Sequence, residues 1–404
     1  MSLMEQLLKK TLLGLLTATF FSGFIYFEYF GLTNYLINSI FGIAAFYLLL
    51  TIPKKAVLVA GFFIGLFWFY WIGYSFKYTG VGYITPFVTF GFGIIYTLFF
   101  SPLAFTNKSY MRATFLFALS FFEPFSFNWM KFELLFTQSY FGVQKWQLAL
   151  ILVALVVAIE LPKKYKALAL AFLVGAIDFS QTKVTPPPLK IKLVQTHILQ
   201  QEKWLLKNQY SIVQQNFQAI KKAIKQHYDL VVLPESTFPL YLNTQPQLIA
   251  LLKELSLKIA IVTGALYYEN GKNYNVSYFF EDGKMQIAKK MVLVPFGEYI
   301  PLPKFMQKII NDFFFNGEAD FSHANNPTDF IIKGTKFRNA ICYEATTDAI
   351  FKGDVKYVIA ISNNGWFVPS IEPTLQNLLM KFYSKKYGVM IYHSANAEGG
   401  GVIY

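Results

Sequence analysis

Residues 1–180 consist of long apolar runs separated by short polar breaks, and this pattern constrains the fold more than any other feature. They carry 12 basic and 6 acidic residues, so charged side chains are about half as frequent there as in residues 181–404. An α-helix needs roughly 20 mostly apolar residues to cross a bilayer. The pattern therefore predicts a membrane domain, since a signal peptide would account for only one of the runs.

We expect about seven transmembrane helices in this membrane domain. Lys and Arg concentrate in the short connections on the cytoplasmic side of a membrane. Nine of them lie at the N-terminus and in the second, fourth and sixth connections, against three in the other connections. This asymmetry predicts a cytoplasmic N-terminus, and an odd number of spans places the rest of the chain outside the cytoplasm. The expected spans are 11–30, 33–52, 56–76, 83–105, 112–127, 146–161 and 165–180.

The sequence pattern changes after a proline-rich linker at 181–190, which contains three consecutive prolines. Consecutive prolines favour an extended, stiff segment. Residues 191–404 then alternate between short apolar strands and amphipathic helices. This alternation predicts an α/β domain with stacked sheets and outer helices.

Composition excludes several classes of function. The net charge of +13 does not indicate nucleic acid, because only Arg112 and Arg338 among the 36 basic residues are arginine. A lysine-rich chain that also abounds in Phe, Ile, Asn and Tyr is typical of A/T-rich coding sequence. A single cysteine excludes an internal disulfide and a cysteine-based zinc cluster. We expect no metal site, because the histidines are scattered without ligand spacing. They are His197, His227, His323 and His393.

The single cysteine, Cys342, ends an apolar strand and is followed at once by Tyr343 and Glu344. A lone cysteine is most often a small buried hydrophobic residue. Outside the cytoplasm, however, a spare thiol tends to be oxidised, so its retention there favours a nucleophile. A nucleophilic cysteine needs a base for its proton and a donor that stabilises the oxyanion.

Two other strand ends carry side chains that suit these tasks. Glu235 follows the strand at 230–233, where its ordinary interpretation is an acid in the first turn of a helix. Lys289 and Lys290 follow the second strand of an expected hairpin, and a lysine is ordinarily a solvated surface residue. Each residue alone is weak evidence, but Glu, Lys and Cys at three strand ends, in that order along the chain, together indicate a catalytic set.

These strand ends resemble the nitrilase superfamily of carbon–nitrogen hydrolases, whose sites use a Glu–Lys–Cys triad. The matching motifs are Pro-Glu at 234–235, Pro-Phe-Gly-Glu at 295–298 and Cys-Tyr-Glu at 342–344. The spacing between the lysine and the Pro-Phe-Gly-Glu motif favours Lys290 over Lys289. A nitrilase-like domain behind about seven membrane spans resembles one family specifically, the apolipoprotein N-acyltransferases. This resemblance covers nearly the whole chain and implies a nitrilase-like αββα sandwich after the membrane domain.

The resemblance implies a location in the bacterial inner membrane, a periplasmic catalytic domain and no cofactor. It also implies transfer of a fatty acyl chain from phospholipid to the N-terminal amine of a diacylated apolipoprotein, the last step of lipoprotein maturation. Glu235 would act as base, Lys290 as oxyanion donor and Cys342 as the nucleophile that carries the acyl chain as a thioester. Supporting roles would fall to Glu298, Tyr343 and Glu344.

Three aromatic residues are candidate contacts for the lipid substrates. Trp204 and Trp366 look like two substrate-side tryptophans of the family, and tryptophan prefers the membrane interface. Phe314 lies in a run of three phenylalanines that would enter lipid if it forms an exposed arm. Packing of Phe314 in the domain core is an equally good interpretation.

Two departures from the family pattern bear on substrate contacts. Ala288 stands where an aromatic tyrosine is common, and His393 stands where arginine is common. Two other functions also stay open. A membrane-tethered amidase of the same superfamily would deliver the acyl group to water. A transporter or scaffold without enzymatic activity is disfavoured, because ionisable residues lie only near the ends of the expected spans.

Overall fold

The structure is a computed structural model that describes residues 2–78, 80–179, 184–300 and 321–404. It divides into two compact units. Unit 1 comprises Met1–Pro124 and Trp129–Gln181, and unit 2 comprises Phe125–Asn128 and Thr182–Tyr404. The expected division into 1–180, 181–190 and 191–404 stays a prediction.

Unit 1 is helical. A helix pairs the backbone N–H and C=O groups of an apolar segment internally, which a bilayer requires. Ser2 and Glu5 form a capping box at the first helix, and Asn34 caps the second. The α-helices in its described residues are α1 (Leu3–Tyr29), α2 (Tyr35–Thr51), α3 (Lys54–Phe69), α4 (Thr85–Phe100), α5 (Ser109–Leu119), α6 (Lys145–Glu160) and α7 (Ala167–Gly175).

Among the described residues of unit 1, three continuous helical segments are long and apolar enough to cross a membrane. They are Leu3–Tyr29, Lys54–Tyr78 and Gly82–Phe105, and the last two include 3₁₀ turns beyond α3 and α4. The 17-residue helix α2 is apolar but shorter. With 11, 16 and 9 residues, α5, α6 and α7 fall short of the roughly 20 that a crossing needs. The count of seven spans therefore stays a prediction.

Aromatic rings form the centre of unit 1. The ring of Phe21 packs edge-on against Phe46, Phe100 and Phe132, with centroids 5.7 to 6.1 Å apart. Such edge-to-face pairs are favourable beyond the area they bury. The buried guanidinium of Arg112 donates to the carbonyl oxygens of Leu49, Ile52 and Thr106, so it ties backbone ends of neighbouring segments together.

The described part of unit 2 contains two β-sheets. The first has strand order β1-β2-β4-β5-β6, with β3 pairing beside β4, and the second has order β11-β10-β9-β8-β7. The first sheet consists of β1 (Ile191–Leu193), β2 (Leu230–Val232), β3 (Phe238–Tyr241), β4 (Ala260–Glu269), β5 (Lys272–Glu281) and β6 (Lys284–Lys289). The second consists of β7 (Asp329–Ile332), β8 (Thr335–Ile341), β9 (Tyr357–Asn363), β10 (Met390–Asn396) and β11 (Gly401–Ile403).

The two sheets of unit 2 pack face to face between helices. Alternate residues of a strand point to opposite faces. Leu230 and Val232 of β2 accordingly pack with Ile341 and Ile359 of the second sheet, whereas Val231 packs with the outer helices. The helices are α8 (Gln200–Lys203), α9 (Leu206–Lys225), α10 (Pro246–Ser256), α11 (Asp348–Phe351) and α12 (Glu372–Tyr387). An apolar helical domain followed by this α/β sandwich confirms the predicted fold class.

The hairpin of β5 and β6 follows its local sequence. Asp282 and Gly283 form its two-residue turn, with φ of +50° and +72°. Positive φ at both central residues is what a type I′ turn requires, and Asp-Gly satisfies it at low cost. The hairpin ends one residue before Lys290, so it positions that lysine directly.

Candidate active site

Three strand ends of unit 2 meet at one place. Glu235 follows β2, Lys290 follows β6 and Cys342 follows β8. The ammonium of Lys290 and the carboxylate of Glu235 both act electrostatically on the Cys342 thiol. The structure therefore brings together the base, cation and nucleophile that the sequence predicted as a set.

The backbone at Cys342 turns sharply out of its strand. Its φ of +54° lies in the left-handed region, which is uncommon for a residue with a side chain. The residue opens a 3₁₀ helix, Cys342–Thr346, and the Gln376 amide lies 3.8 Å from its Sγ. Burial raises the pKa of the thiol well above its ordinary value, Glu235 adds to this, and Lys290 opposes it. The thiol is therefore protonated at rest and needs a base.

The carboxylate of Glu235 is held by two hydrogen bonds. The Asn275 side chain donates to Oε1 at 2.7 Å, and the Asn363 backbone N–H donates to Oε2 at 2.8 Å. Gly264 lies directly beside this loop. A Cβ at Gly264 would lie 2.5 Å from the Ser236 nitrogen and 2.7 Å from the Glu235 Cα. Only a glycine at that position leaves space for the Glu235 backbone.

Lys290, and not Lys289, enters this cluster. Its side chain is 1% exposed, and its Nζ lies 2.7 Å and 2.8 Å from the two carboxylate oxygens of Glu298. Burial opposes the charge, but the attraction of Glu298 and then of Glu235 outweighs it and raises the pKa of Lys290. Lys289 instead pairs with Glu269 at 2.6 Å on a partly exposed surface.

Glu344 joins two of the strand ends. Its carboxylate accepts hydrogen bonds from the backbone N–H groups of Met291 and Val292, after Lys290, and of Ile341, before Cys342. Burial raises the pKa of Glu344 to about 7, and Lys290 opposes this shift. Glu344 thus fixes the Lys290 segment against the Cys342 turn.

The side chain of Tyr343 contacts the segment Phe125–Asn128 of the same unit. Its hydroxyl accepts from the Asn128 N–H at 3.2 Å and lies 3.2 Å from the Ser126 carbonyl oxygen. Its ring stacks on Phe127 at 6.1 Å. The side chain of Tyr343 therefore anchors the Cys342 turn to this segment.

Several polar residues at the site had no functional signal in the sequence. Lys203 is 1% exposed and donates to the Glu235 backbone oxygen at 3.1 Å. Burial lowers the pKa of Lys203 to about 8, against the attraction of Glu235 and Cys342. Lys203 directly precedes the candidate Trp204, and that proximity was the only signal that could have found it. The other residues missed by the sequence reasoning are Asn275, Glu372 and Gln376.

The two tryptophans predicted to contact substrate differ in exposure. Trp204 follows α8 and is 40% exposed, whereas Trp366 is partly buried in the 3₁₀ turn after β9. Phe314 lies outside the described residues. Substrate binding by all three stays a prediction.

The two residues that depart from the family pattern, Ala288 and His393, are both buried. Ala288 lies inside β6. The His393 ring lies 2.8 Å from the Gly399 carbonyl oxygen and 2.9 Å from the Ser362 hydroxyl. Burial lowers the pKa of His393 to about 4, against the effect of the Gly399 carbonyl, so the ring is neutral at physiological pH. His393 therefore supplies no positive charge of the kind an arginine would carry.

Comparison with known proteins agrees with the apolar first unit and with the α/β fold of the second. Residues 8–179 match the apolipoprotein N-acyltransferase integral membrane domain, and residues 192–399 match the carbon-nitrogen hydrolase family. An apolipoprotein N-acyltransferase from Wolinella succinogenes is 38% identical over 393 residues, which cover 97% of this chain and 95% of that protein. The chain belongs to the apolipoprotein N-acyltransferase family. It is therefore an acyltransferase with an integral membrane domain, as the sequence predicted.

A second relative is also similar over most of both chains. The apolipoprotein N-acyltransferase of Helicobacter hepaticus is 38% identical over 378 residues, covering 91% of this chain and 94% of its own. A CN-hydrolase superfamily protein of known structure from Xanthomonas campestris is 13% identical, with a TM-score of 0.40. That match covers 54% of this chain and 79% of the other.

Among the described residues, no group of three or more His, Cys, Asp or Glu side chains could hold a metal ion.

Proposed function

We propose that this chain transfers a fatty acyl chain from phospholipid, through a thioester on Cys342, to the N-terminal amine of a diacylated apolipoprotein. The observation that carries the proposal is the meeting of Glu235, Lys290 and Cys342 at three strand ends. A partly buried thiol with a raised pKa needs a base, and a nearby buried cation suits the oxyanion that forms when the thiolate attacks an ester.

In the first half-reaction, Glu235 takes the thiol proton and the Cys342 sulfur attacks the ester carbonyl carbon. Lys290 and the backbone N–H after Cys342 stabilise the oxyanion. The C–O bond of the ester then breaks, and Glu235 returns the proton to the alcohol of the departing lysophospholipid. The two hydrogen bonds on Glu235 hold its oxygens in place for both proton transfers.

In the second half-reaction, the amine of the diacylglyceryl-cysteine attacks the thioester carbonyl carbon. Glu235 again acts as base, the carbon–sulfur bond breaks, and Cys342 is regenerated. A ping-pong order follows, because one site serves donor and acceptor in turn. Glu298 supports it through its ion pair with Lys290, and Glu344 through its contacts with both strand ends.

The location we propose is the bacterial inner membrane, with unit 2 on the periplasmic side. The excess of basic residues at the N-terminus and in alternate connections supports this orientation. Donor and acceptor are both lipid-anchored, so the site needs access from the bilayer. Trp204, Trp366 and Phe314 are our candidates for contacts with these lipids.

The experiment that tests the proposal is intact mass spectrometry of the purified full chain incubated with phospholipid alone. The mass should rise by one fatty acyl group, hydroxylamine should remove it, and Cys342→Ala should show no gain. A diacylated lipopeptide should then discharge the acyl chain onto its amine. Rapid loss to water without acceptor would support the membrane-tethered amidase instead, and absence of any adduct would contradict the thioester.

A further inference from the structure

Helix α12 presents a buried carboxyl group to the site without a partner. Glu372, its first residue, is 2% exposed, and its Oε2 accepts no hydrogen bond within the described part of the chain. Leaving a buried carboxyl unpaired is costly. Burial and then the charges of Glu235 and Glu398 raise its pKa well above the ordinary value.

The helix geometry directs Glu372 towards the nucleophile. Residues four apart lie on one face of an α-helix. Gln376, four residues later, is fully buried and its amide lies 3.8 Å from the Cys342 Sγ. Glu372 therefore lies on the face of α12 that contacts Cys342, and its charge acts on the thiol.

The other carboxyl groups around Cys342 have partners. Glu298 pairs with Lys290, and Glu235 accepts from two amide groups. Glu344 accepts from three backbone N–H groups. Among the residues described, Glu372 is thus the carboxyl at this site with an oxygen, Oε2, that has no hydrogen-bond donor. This arrangement would favour a cation bound beside Glu372.

We propose that Glu372 binds the α-ammonium group of the acceptor, and this inference rests on the proposed function. The acceptor is the substrate whose reacting atom carries a positive charge, because an α-amino group has an ordinary pKa of about 8. A hydrolase of the same fold uses water at this step and needs no such counter-charge.

An ammonium group beside Glu372 favours the carboxylate form, and a carboxyl whose pKa is raised by burial also suits a proton transfer. A carboxyl of ordinary pKa is too weak a base to deprotonate an ammonium group, whereas one with a raised pKa is better matched. The carboxylate takes one proton from the ammonium and later releases it to water, and the free amine attacks the thioester carbonyl carbon. The C–N bond forms, the C–S bond breaks, and the second amine proton passes through Glu235 to the Cys342 sulfur.

A purely structural role is the competing explanation. An acid in the first turn of a helix is stabilised by the helix dipole. Glu372→Gln, which has nearly the same shape, would then lower the thermal stability. If the carboxyl is instead an uncompensated buried group kept for the acceptor, Glu372→Gln should leave the unfolding temperature unchanged or raise it.

The test separates the two half-reactions. Full-length protein is loaded with an acyl chain from phospholipid, and the decay of the thioester is followed by mass spectrometry with two nucleophiles. One is a diacylated lipopeptide, and the other is hydroxylamine, which is uncharged at neutral pH. Glu372→Gln should slow discharge to the lipopeptide at least tenfold relative to discharge to hydroxylamine.

Glu398→Gln is the matched control, because it removes an exposed carboxyl that acts electrostatically on Glu372. It should leave the ratio of the two discharge rates unchanged. An unchanged ratio in Glu372→Gln, an equal shift in the control, or a lower unfolding temperature would each overturn the inference. Failure of the wild-type protein to load an acyl chain would instead count against the proposed function itself.

Discussion

The two units differ in how many charged side chains they bury and in how closely those side chains lie together. In the described residues of unit 1, Arg112 bonds to backbone carbonyl groups, Lys131 pairs with Glu123, and Glu133 pairs with Lys145. These charges are few and compensated locally. In unit 2, five buried charged residues gather around one partly buried thiol, and they are Lys203, Glu235, Lys290, Glu344 and Glu372. Burying charge costs stability unless it is paired, so such a concentration indicates function and not support of the fold.

The units also differ in what they expose. Unit 1 leaves large apolar side chains on its surface, such as Phe87, Leu98 and Phe105. Extensive apolar surface of this kind marks a lipid or protein contact. The comparison predicts that substitutions of buried polar groups alter chemistry in unit 2 and only stability in unit 1.

The largest effect is expected when the buried cation of unit 2, Lys290, is replaced. Lys290→Met should reduce acyl transfer by ~10²–10³-fold, because it removes the proposed oxyanion donor, which is buried. Lys289→Met is the matched control and should remain near wild type, since its partly exposed ion pair contributes little. Initial rates with phospholipid and lipopeptide measure both variants. Equal losses in the two variants would contradict the assignment of Lys290, and not Lys289, as the oxyanion donor.

A smaller loss is expected from Gly264→Ala, which forces a Cβ against the Glu235 backbone. A shift of about 1 Å in a catalytic group can reduce the rate roughly 100-fold. Gly91→Ala in unit 1 meets no atom within 4 Å and should be neutral. Rates of thioester formation, compared at matched folded fractions, measure the difference. Full activity in Gly264→Ala would mean that the loop tolerates displacement.

The charge of Lys203 should have an effect of ~10-fold, about 1.4 kcal/mol. Lys203→Met removes the charge, whereas Lys203→Gln retains an N–H donor for the Glu235 carbonyl. Both should slow alkylation of Cys342 by iodoacetamide at pH 7, because the ammonium favours the thiolate. The difference from wild type should shrink above about pH 8, where Lys203 itself loses its proton. A wild-type rate in Lys203→Gln would leave only the hydrogen bond as its role.

The smallest effect on chemistry is expected in unit 1. Arg112→Met leaves three backbone carbonyl oxygens without their donor and should lower the unfolding free energy by about 2–3 kcal/mol. The acyl load per folded molecule should not change. Lys55→Met, at an exposed position, should alter neither quantity. Thermal unfolding in detergent, combined with intact mass, tests this, and a loss of loading in folded Arg112→Met would break the contrast between the units.

Much of the architecture was predictable because its signals are local in the sequence. Apolar runs identify the helices of unit 1, and the Asp-Gly turn identifies the hairpin that leads to Lys290. Strand periodicity locates the ends at Glu235 and Cys342. The sequence did not reveal that α5 and α7 are short, because helix length depends on where packing ends each segment.

The sequence by itself determined a membrane domain, a nitrilase-like α/β domain, and three strand ends that carry Glu, Lys and Cys. Only the tertiary structure decided which other polar groups surround them. Asn275 lies within a strand, and Glu372 and Gln376 lie on a helix that no local motif marked as functional. Their role depends on burial and on contacts such as Asn275 with Glu235 and Gln376 with Cys342, which are 40 and 34 positions apart. Contacts over such separations do not appear in any local pattern.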